Sequence, residues 1–173
     1  MKSWRLLPLR VDEPFYSMAI DEAILRLKAD GKSPNTLRFW RWRPSSVSLG
    51  YFQSLNREVD LEVAKKRGVA VVRRITGGGA VFHDHDGELT YSVVCGQNDV
   101  PRDIEKSFEA ICEGLIRGFK RLGLDACFSP LNDISVGSKK ISGSAQTRKW
   151  RCLLQHGTIL IDPDIRLMFE LLR

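Results

Sequence analysis

The most distinctive segment of the sequence runs from Arg73 to Asp84 and reads RRITGGGAVFHD. Three consecutive glycines leave a loop without side chains, so a ligand can lie directly on its backbone N–H groups. The two arginines that enter the loop carry guanidinium groups, which pair bidentately with phosphate or carboxylate. The spacing matches neither a P-loop nor a dinucleotide-binding glycine turn. The segment predicts a site for an anion such as a nucleotide phosphate; a glycine-rich turn with solvated arginines is the alternative.

A second candidate site segment runs from Lys139 to Gln146 and reads KKISGSAQ. Lys140 precedes small residues, so its ammonium group and the backbone can approach a ligand together. Such a cation can neutralise the charge that develops during acyl transfer. The alternative is a surface turn between strands. The nearby cations Arg148, Lys149 and Arg151 indicate a solvated basic edge.

Three further groups of polar residues could support a site. His156 precedes a glycine in the segment QHGT and is either a site residue or a packed strand histidine. Asn132 and Asp133 could help to bind a metal-bound nucleotide or simply form an Asx turn. His83 and His85 would share one face of a strand, but no third ligand stands at metal spacing. The sequence therefore predicts no protein-bound transition metal.

The four cysteines stand far apart and form no CxxC pair, so they indicate reduced thiols and not a zinc site. Cys95, Cys112 and Cys152 lie in apolar patterns typical of a core. Cys127 stands upstream of Lys140 and could carry an acyl group as a thioester. Its alternative role is that of a small buried residue on a strand.

Length and composition set the frame for these residues. The chain has 173 residues, which predicts one domain, and its formal net charge of +6 favours anionic partners. No apolar run approaches a membrane span, and the N-terminus lacks the apolar region of a signal peptide. We therefore expect a cytoplasmic protein with no membrane association. Nucleic-acid binding is not expected, because the aromatic residues that might stack on bases fit a core equally well.

The elements that must position the site mix strands and helices without strict βαβ alternation, which predicts an α+β fold on a mixed, largely antiparallel sheet. Helices are predicted over residues 16–29, after Asp60 up to Gly68, over about 102–122, and in the final segment IRLMFELLR. Strands are predicted over residues 36–43, 46–52, 69–74, 88–95, 124–128, 134–136 and 152–161.

With these motifs in hand, the chain resembles the lipoate–protein ligase A family, within the superfamily of biotin and lipoate ligases and octanoyltransferases. The resemblance rests on RRITGGGAVFHD, LNDI, KKISGSAQ and LQHGT, with MAIDEAI as the first helix, in family order over nearly the whole chain. It implies the class II synthetase-like catalytic fold. It also implies an enzyme that activates lipoate with Mg²⁺ and ATP to lipoyl-AMP and then transfers the lipoyl group to a lysine.

The resemblance also assigns roles to individual residues. By this resemblance, Lys140 would be the catalytic residue and would contact both the lipoyl carboxyl group and the phosphate. The nucleotide would further be bound by Arg74, Gly79, Ala80, Val81 and Phe82. Lipoate would further contact Gly77, Gly78, His83 and His156. Supporting roles fall to Arg73, Asn132, Asp133, Ser142 and Gly143. The lipoyl tail needs an apolar tunnel, for which we predict Val71, Val72, Val81 and Val93.

The implied partners are lipoyl acceptor domains of the 2-oxoacid dehydrogenase E2 type or the glycine cleavage H protein type. Larger family members add a C-terminal accessory domain, in some cases on a separate polypeptide, which predicts a single catalytic domain over residues 1–173 that is truncated at its C-terminal end. The alternative is an octanoyltransferase branch, in which a cysteine carries the acyl group from an octanoyl-carrier protein without ATP. Ala126-Cys127-Phe128 resembles the cysteine context of that branch.

Overall fold

The computed structural model describes residues 3–173, within which eleven strands and five α-helices form. The strands are β1 (Trp4–Leu6), β2 (Arg10–Asp12), β3 (Asn35–Trp42), β4 (Ser46–Leu49), β5 (Ala70–Arg73), β6 (Val81–His83), β7 (Glu88–Gly96), β8 (Ala126–Ser129), β9 (Asp133–Val136), β10 (Lys139–Lys149) and β11 (Cys152–Leu160). The helices are α1 (Pro14–Ala29), α2 (Leu55–Glu58), α3 (Leu61–Arg67), α4 (Ile104–Arg121) and α5 (Ile165–Leu171).

Two sheets organise the molecule. The larger has the strand order β1-β3-β7-β11-β10-β9-β8, with β2 beside β3, and the smaller has the order β5-β4-β6. Strands β1 and β2 run parallel to β3, and β4 runs parallel to β5, whereas the other pairs are antiparallel. This mixed, largely antiparallel arrangement confirms the predicted α+β fold.

Local sequence signals explain where the helices begin and end. The Asp60 carboxylate caps α3 by accepting from the Val63 N–H, and Gly68 ends that helix in the left-handed conformation. The Asp103 carboxylate caps α4 in the same way, at the Lys106 N–H. The apolar side of α4 packs against β8 and β9 through a cluster that includes Cys112, Ile116 and Ile134. None of the helices within residues 3–173 is both long and apolar enough to span a membrane.

Helix α1 buries polar as well as apolar side chains. Ile24 is buried and Leu27 is 43% exposed, whereas the polar Ser17 and Asp21 are fully covered. The Asp21 carboxylate accepts hydrogen bonds from Arg38 and Ser92, so the helix docks on the sheet through a buried polar cluster as well as through apolar contacts.

The lysine motif is not the surface turn that was the alternative to a site. It lies on the eleven-residue strand β10, which the strand predictions did not include. Serine, glycine and alanine have weak strand preferences, so the motif lacks the β-branched pattern by which a strand is recognised. Pairing with β9 on one side and β11 on the other supplies the stabilisation that local preference does not.

Candidate active site

An apolar cavity of about 520 Å³ lies between the two sheets and is closed on one side by α5. Its apolar walls come from Met18, Trp40, Trp42, Val81, Phe82, Leu160, Ile165, Met168 and Leu172. Its polar groups come from Ser48, Arg74, His83, Asn132, Lys140, Ser144, His156 and Thr158. The cavity therefore joins the three sequence motifs in one space that suits an aliphatic chain with a polar head.

Arg74 lies beneath the glycine loop and is 4% exposed. Its guanidinium donates to the carbonyl oxygens of Gly77 and Gly79 at 2.8 and 2.7 Å and to the Ser48 carbonyl oxygen at 2.8 Å. It also donates to the hydroxyl groups of Ser48 and Thr76. Burial lowers the Arg74 pKa to about 10. These bonds hold the loop from below, so in this structure the guanidinium is directed at the protein.

Arg73 is anchored differently. One of its terminal nitrogens donates to the carbonyl oxygens of Gly50, Tyr51 and Gln53 at 2.9, 3.3 and 2.8 Å. The two arginines that we predicted for anion binding thus brace the glycine loop and the turn that follows β4. Their contact with a nucleotide stays a prediction.

A hydroxyl group connects each of the two site histidines to Arg74. His83 shares a 2.8 Å hydrogen bond with Ser48 and another of 2.8 Å with the Glu88 carboxylate, and its ring stacks on Trp42. His156 lies 2.7 Å from the Thr76 hydroxyl and 3.0 Å from the Asp21 carboxylate. Ser48 and Thr76 both accept from Arg74, so one buried hydrogen-bonded chain runs from Glu88 to Asp21 under the loop.

Lys140 brings a positive charge to the cavity. Its ammonium nitrogen lies 2.8 Å from the Asp133 carboxylate, and the lysine side chain is 52% exposed. A Cβ atom at Gly143 would lie 2.8 Å from that nitrogen, so the glycine of the motif makes room for the lysine. A Cβ atom at Gly157 would lie 2.7 Å from the Gly143 carbonyl oxygen, so the glycine after His156 allows the two strands to approach.

Cys127 lies outside the cavity but in line with Lys140. Ser135 on β9 pairs with Cys127 on one side and with Lys140 on the other, so the three residues form a row across adjacent strands. Directly paired residues share a face of the sheet, and the cysteine and lysine are separated by two strand spacings of about 4.8 Å. Of the four cysteines, three are buried and Cys127 is exposed. The accessible thiol thus faces the same side as the site lysine.

The remaining predicted residues fall at different depths. Asn132 lines the cavity, and its side-chain amide donates to the Ser144 carbonyl oxygen. Ser142 is fully buried in β10, and its hydroxyl group has no hydrogen-bond partner within residues 3–173. Gly77 lines a second groove on the outer side of the loop, and not the cavity. Among the four valines predicted for the tunnel, Val81 lines the cavity.

Sequence reasoning missed the residues that build most of the apolar wall. Met18 comes from α1, Trp40 and Trp42 come from β3, and Met168 comes from α5. No local pattern marks them, because each is an ordinary core residue until the fold places it beside the glycine loop. Asp21 was missed for the same reason, although a carboxylate on the buried side of an amphipathic helix is a usable signal.

The described residues offer no group of three or more histidine, cysteine or acidic side chains that could hold a metal ion. His83 and His85 both bond to other protein groups, at the Glu88 carboxylate and the Trp42 carbonyl oxygen.

The fold and this site define the family. The chain belongs to the family of lipoyl protein ligase A/B catalytic domains, whose model matches residues 13–173. It is therefore an enzyme domain of the lipoate ligase and transferase superfamily, as the resemblance predicts.

Curated relatives of the chain include octanoyltransferases. Octanoyltransferase LipM of Brevibacillus brevis is 40% identical, over 99% of this chain and 71% of the relative. Octanoyltransferase LipM of Moorella thermoacetica is 42% identical, over 99% of this chain and 70% of the relative. The first alignment runs over 197 positions, more than the 173 residues of this chain, so that relative carries residues inside the matched region that this chain lacks.

Solved structures of lipoate ligases share the fold closely. A lipoate-protein ligase A bound with ATP is 38% identical with a TM-score of 0.88, over 100% of this chain and 72% of that one. A putative lipoate protein ligase of Thermoplasma acidophilum with bound lipoic acid is 36% identical with a TM-score of 0.83, over 99% of this chain and 73% of that one. Biotin protein ligase of Aquifex aeolicus, 13% identical with a TM-score of 0.51 over 92% of this chain and 52% of that one, shares the fold alone.

Proposed function

We propose that this protein is an octanoyltransferase that moves an octanoyl group from a carrier-protein thioester to a lysine of a lipoyl acceptor domain, with Cys127 as the acyl carrier. The observation that carries the proposal is the exposed Cys127 thiol in one row with Ser135 and Lys140. The similarity to the LipM octanoyltransferases over 98–99% of the chain supports it. This is the alternative that the sequence left open beside lipoate ligation.

The proposed reaction has two acyl-transfer steps. In the first, the Cys127 thiol gives up its proton and its sulfur attacks the carbonyl carbon of the donor thioester; the C–S bond to the donor breaks, and the donor sulfur leaves as a thiol with that proton. In the second, the neutral amine of the acceptor lysine attacks the Cys127 thioester. The new C–N bond forms, the Cys127 sulfur leaves, and the proton lost from the amine returns the thiol. No net redox change occurs and no ATP is consumed.

The cavity supplies the remaining functions. An octanoyl chain attached to Cys127 can pass over Ser135 and enter the apolar space beside Lys140. Both tetrahedral intermediates place a negative charge on the former carbonyl oxygen, and the Lys140 ammonium group is the cation positioned to stabilise it. Asp133 holds that ammonium group in place at 2.8 Å before the charge develops.

ATP-dependent lipoate ligation is the second candidate, and the 38% identical ligase with bound ATP favours it. In that reaction Lys140 and the N–H groups of the glycine loop would contact the phosphate, with Mg²⁺ held chiefly by the nucleotide. Arg74 donates five hydrogen bonds, to the Gly77, Gly79 and Ser48 carbonyl oxygens and to the Ser48 and Thr76 hydroxyl groups, and these argue against a phosphate role for that residue in either reaction.

The test is the intact mass of an apo lipoyl domain after incubation with this protein. One reaction contains octanoyl-carrier protein without ATP, and the other contains lipoate, Mg²⁺ and ATP. We expect an octanoyl mass gain in the first reaction and an octanoyl adduct on the enzyme when the acceptor is omitted. A lipoyl gain that requires ATP, with no gain from the thioester, would establish the ligase instead.

Matched cysteine variants test the carrier. We expect Cys127→Ser to abolish both the enzyme adduct and the transfer, since a hydroxyl group is a much weaker nucleophile than a thiol. Cys152→Ala removes a buried thiol away from the cavity and should keep both activities. Full transfer by Cys127→Ser would exclude Cys127 as the carrier.

A further inference from the structure

A groove of about 420 Å³ lies on the outer side of the glycine loop, next to the cavity. Tyr51 and Phe52 form one wall and are 48% and 90% exposed. Ile104 at the start of α4, which is 65% exposed, contributes to the opposite wall. Strand β10 runs along the bottom from Gln146 to Lys149. Neighbouring exposed aromatic and aliphatic side chains are typical of surfaces that bind another chain.

The bottom of the groove is a free sheet edge. The hairpin between β10 and β11 closes with the two-residue turn Trp150-Arg151, both with positive φ, so Lys149 and Cys152 form a hydrogen-bonded pair. The alternation then directs the backbone groups of Thr147 toward β11 and those of Gln146 and Arg148 away from it.

An independent contact confirms this direction. The Ser144 N–H, two residues before Gln146, bonds to the Asn132 carbonyl oxygen and not to β11. Strand β9 pairs with β10 only as far as Gly143, at Asp133. Within residues 3–173, the N–H and C=O groups of Gln146 and Arg148 have no backbone partner. They form a two-residue template for another strand.

The edge leads directly to the site. Asn132 and Ser144, where the free edge begins, both line the apolar cavity that contains Lys140. A strand paired with Gln146 lies one residue pair, roughly 7 Å, from Ser144. A chain that continues beyond that point reaches the mouth of the cavity, within the span of a lysine side chain.

We propose that an extended strand of the acceptor domain adds to β10 at Gln146 and Arg148 and so directs the acceptor lysine into the cavity. The inference rests on the proposed function and names how its partner docks. Lys149 and Arg151 stand at the hairpin end of the groove and, with the net charge of +6, favour acidic side chains beside the added strand. Tyr51 and Phe52 would cover its apolar side chains.

Two substitutions at one position isolate the edge. Arg148→Pro removes the edge N–H group without removing a bond to β11, a location in which proline is tolerated. Arg148→Ala keeps that N–H group but, like proline, loses the side-chain bonds to the Pro101 and Arg102 carbonyl oxygens. We expect the Kd for an apo E2 lipoyl domain to be about three- to tenfold higher for Arg148→Pro than for Arg148→Ala. Acylation of Cys127 by a small octanoyl thioester should be equal in both variants.

Equal Kd values for the two folded variants would overturn the docking inference. The proposed function would still stand if the wild type transfers the octanoyl group. Failure of the wild type to accept an acyl group from either donor would instead overturn the function.

Amide exchange on the unaltered protein gives a second measurement if Arg148→Pro does not fold. The Gln146 and Arg148 amides should exchange rapidly in the free protein and slowly with saturating apo lipoyl domain, whereas the Thr147 amide stays protected throughout. No gain of protection at Gln146 and Arg148 would refute the added strand.

Discussion

Replacing Arg74 with lysine separates a structural role of this residue from a role in binding phosphate. The guanidinium makes five hydrogen bonds from three nitrogens, toward Ser48 on one side and toward Gly77 and Gly79 on the other. An ammonium group has one nitrogen and three donors, so at least two of these bonds are lost. At about 1.5 kcal/mol for each bond to a charged group, the free energy of unfolding falls by about 3 kcal/mol.

In a domain of this size that loss lowers the Tm by about 6–12 °C, which differential scanning calorimetry resolves. Arg73→Lys is the matched control, because a single nitrogen of Arg73 makes all three of its bonds to carbonyl oxygens. An ammonium nitrogen can replace that nitrogen, so we expect a Tm close to that of the wild type. An unchanged Tm for Arg74→Lys, together with the loss of an ATP-dependent reaction, would refute the bracing role and identify a phosphate ligand.

Three further outcomes follow from the site and its surroundings. Lys140→Ala should reduce acyl transfer, measured by intact mass, by about 10²–10³-fold. Its circular dichroism spectrum should be unchanged, because the lysine side chain is half exposed and not part of the core. Near-normal transfer would exclude a catalytic role for Lys140. Gly50→Ala should lower both Tm and activity, since its Cβ would lie 1.9 Å from the Gly78 carbonyl oxygen. The control Gly114→Ala has open space around its Cβ on α4 and should raise the free energy of unfolding by up to about 1 kcal/mol. Equal effects of the two substitutions on stability would contradict the close approach at Gly50. Partial burial opposes ionisation of Asp84, but backbone N–H donors, including that of the α5 cap Asp164, lower its pKa below the ordinary aspartate value. The stability advantage of the wild type over Asp84→Asn in urea unfolding should therefore be complete above about pH 5 and fade as the pH falls further. A difference that stays constant with pH would refute this linkage.

The motifs could be recognised in the sequence because close contacts restrict which residue types their positions accept. Gly143 and Gly157 are needed where a lysine side chain and a neighbouring strand pass within the distance of a Cβ atom. The family resemblance, the α+β fold and the joining of the glycine loop with Lys140 and His156 could therefore be predicted from the sequence.

The surrounding walls could not be predicted, because they depend on packing between distant segments. Met18 and Met168 meet at the cavity from opposite ends of the chain, and nothing in their local sequence distinguishes them from other core residues. Likewise, a basic edge at Arg148 and Lys149 could be predicted, but not its contacts. Arg148 donates to the Pro101 and Arg102 carbonyl oxygens, and the Lys149 ammonium group lies over the Tyr51 ring.

The unpaired edge of β10 has a consequence for the behaviour of the protein in concentrated solution. An exposed strand edge can also pair with a second copy of its own chain, and such pairing is a route to aggregation. Here the edge is two residues long and ends at the cations Lys149 and Arg151, so two copies that approach edge to edge bring like charges together. Salt shortens the range of this repulsion to about 3 Å at 1 M ionic strength. The positive charge that favours an acidic partner thus also opposes self-association through this edge, and high salt weakens that repulsion.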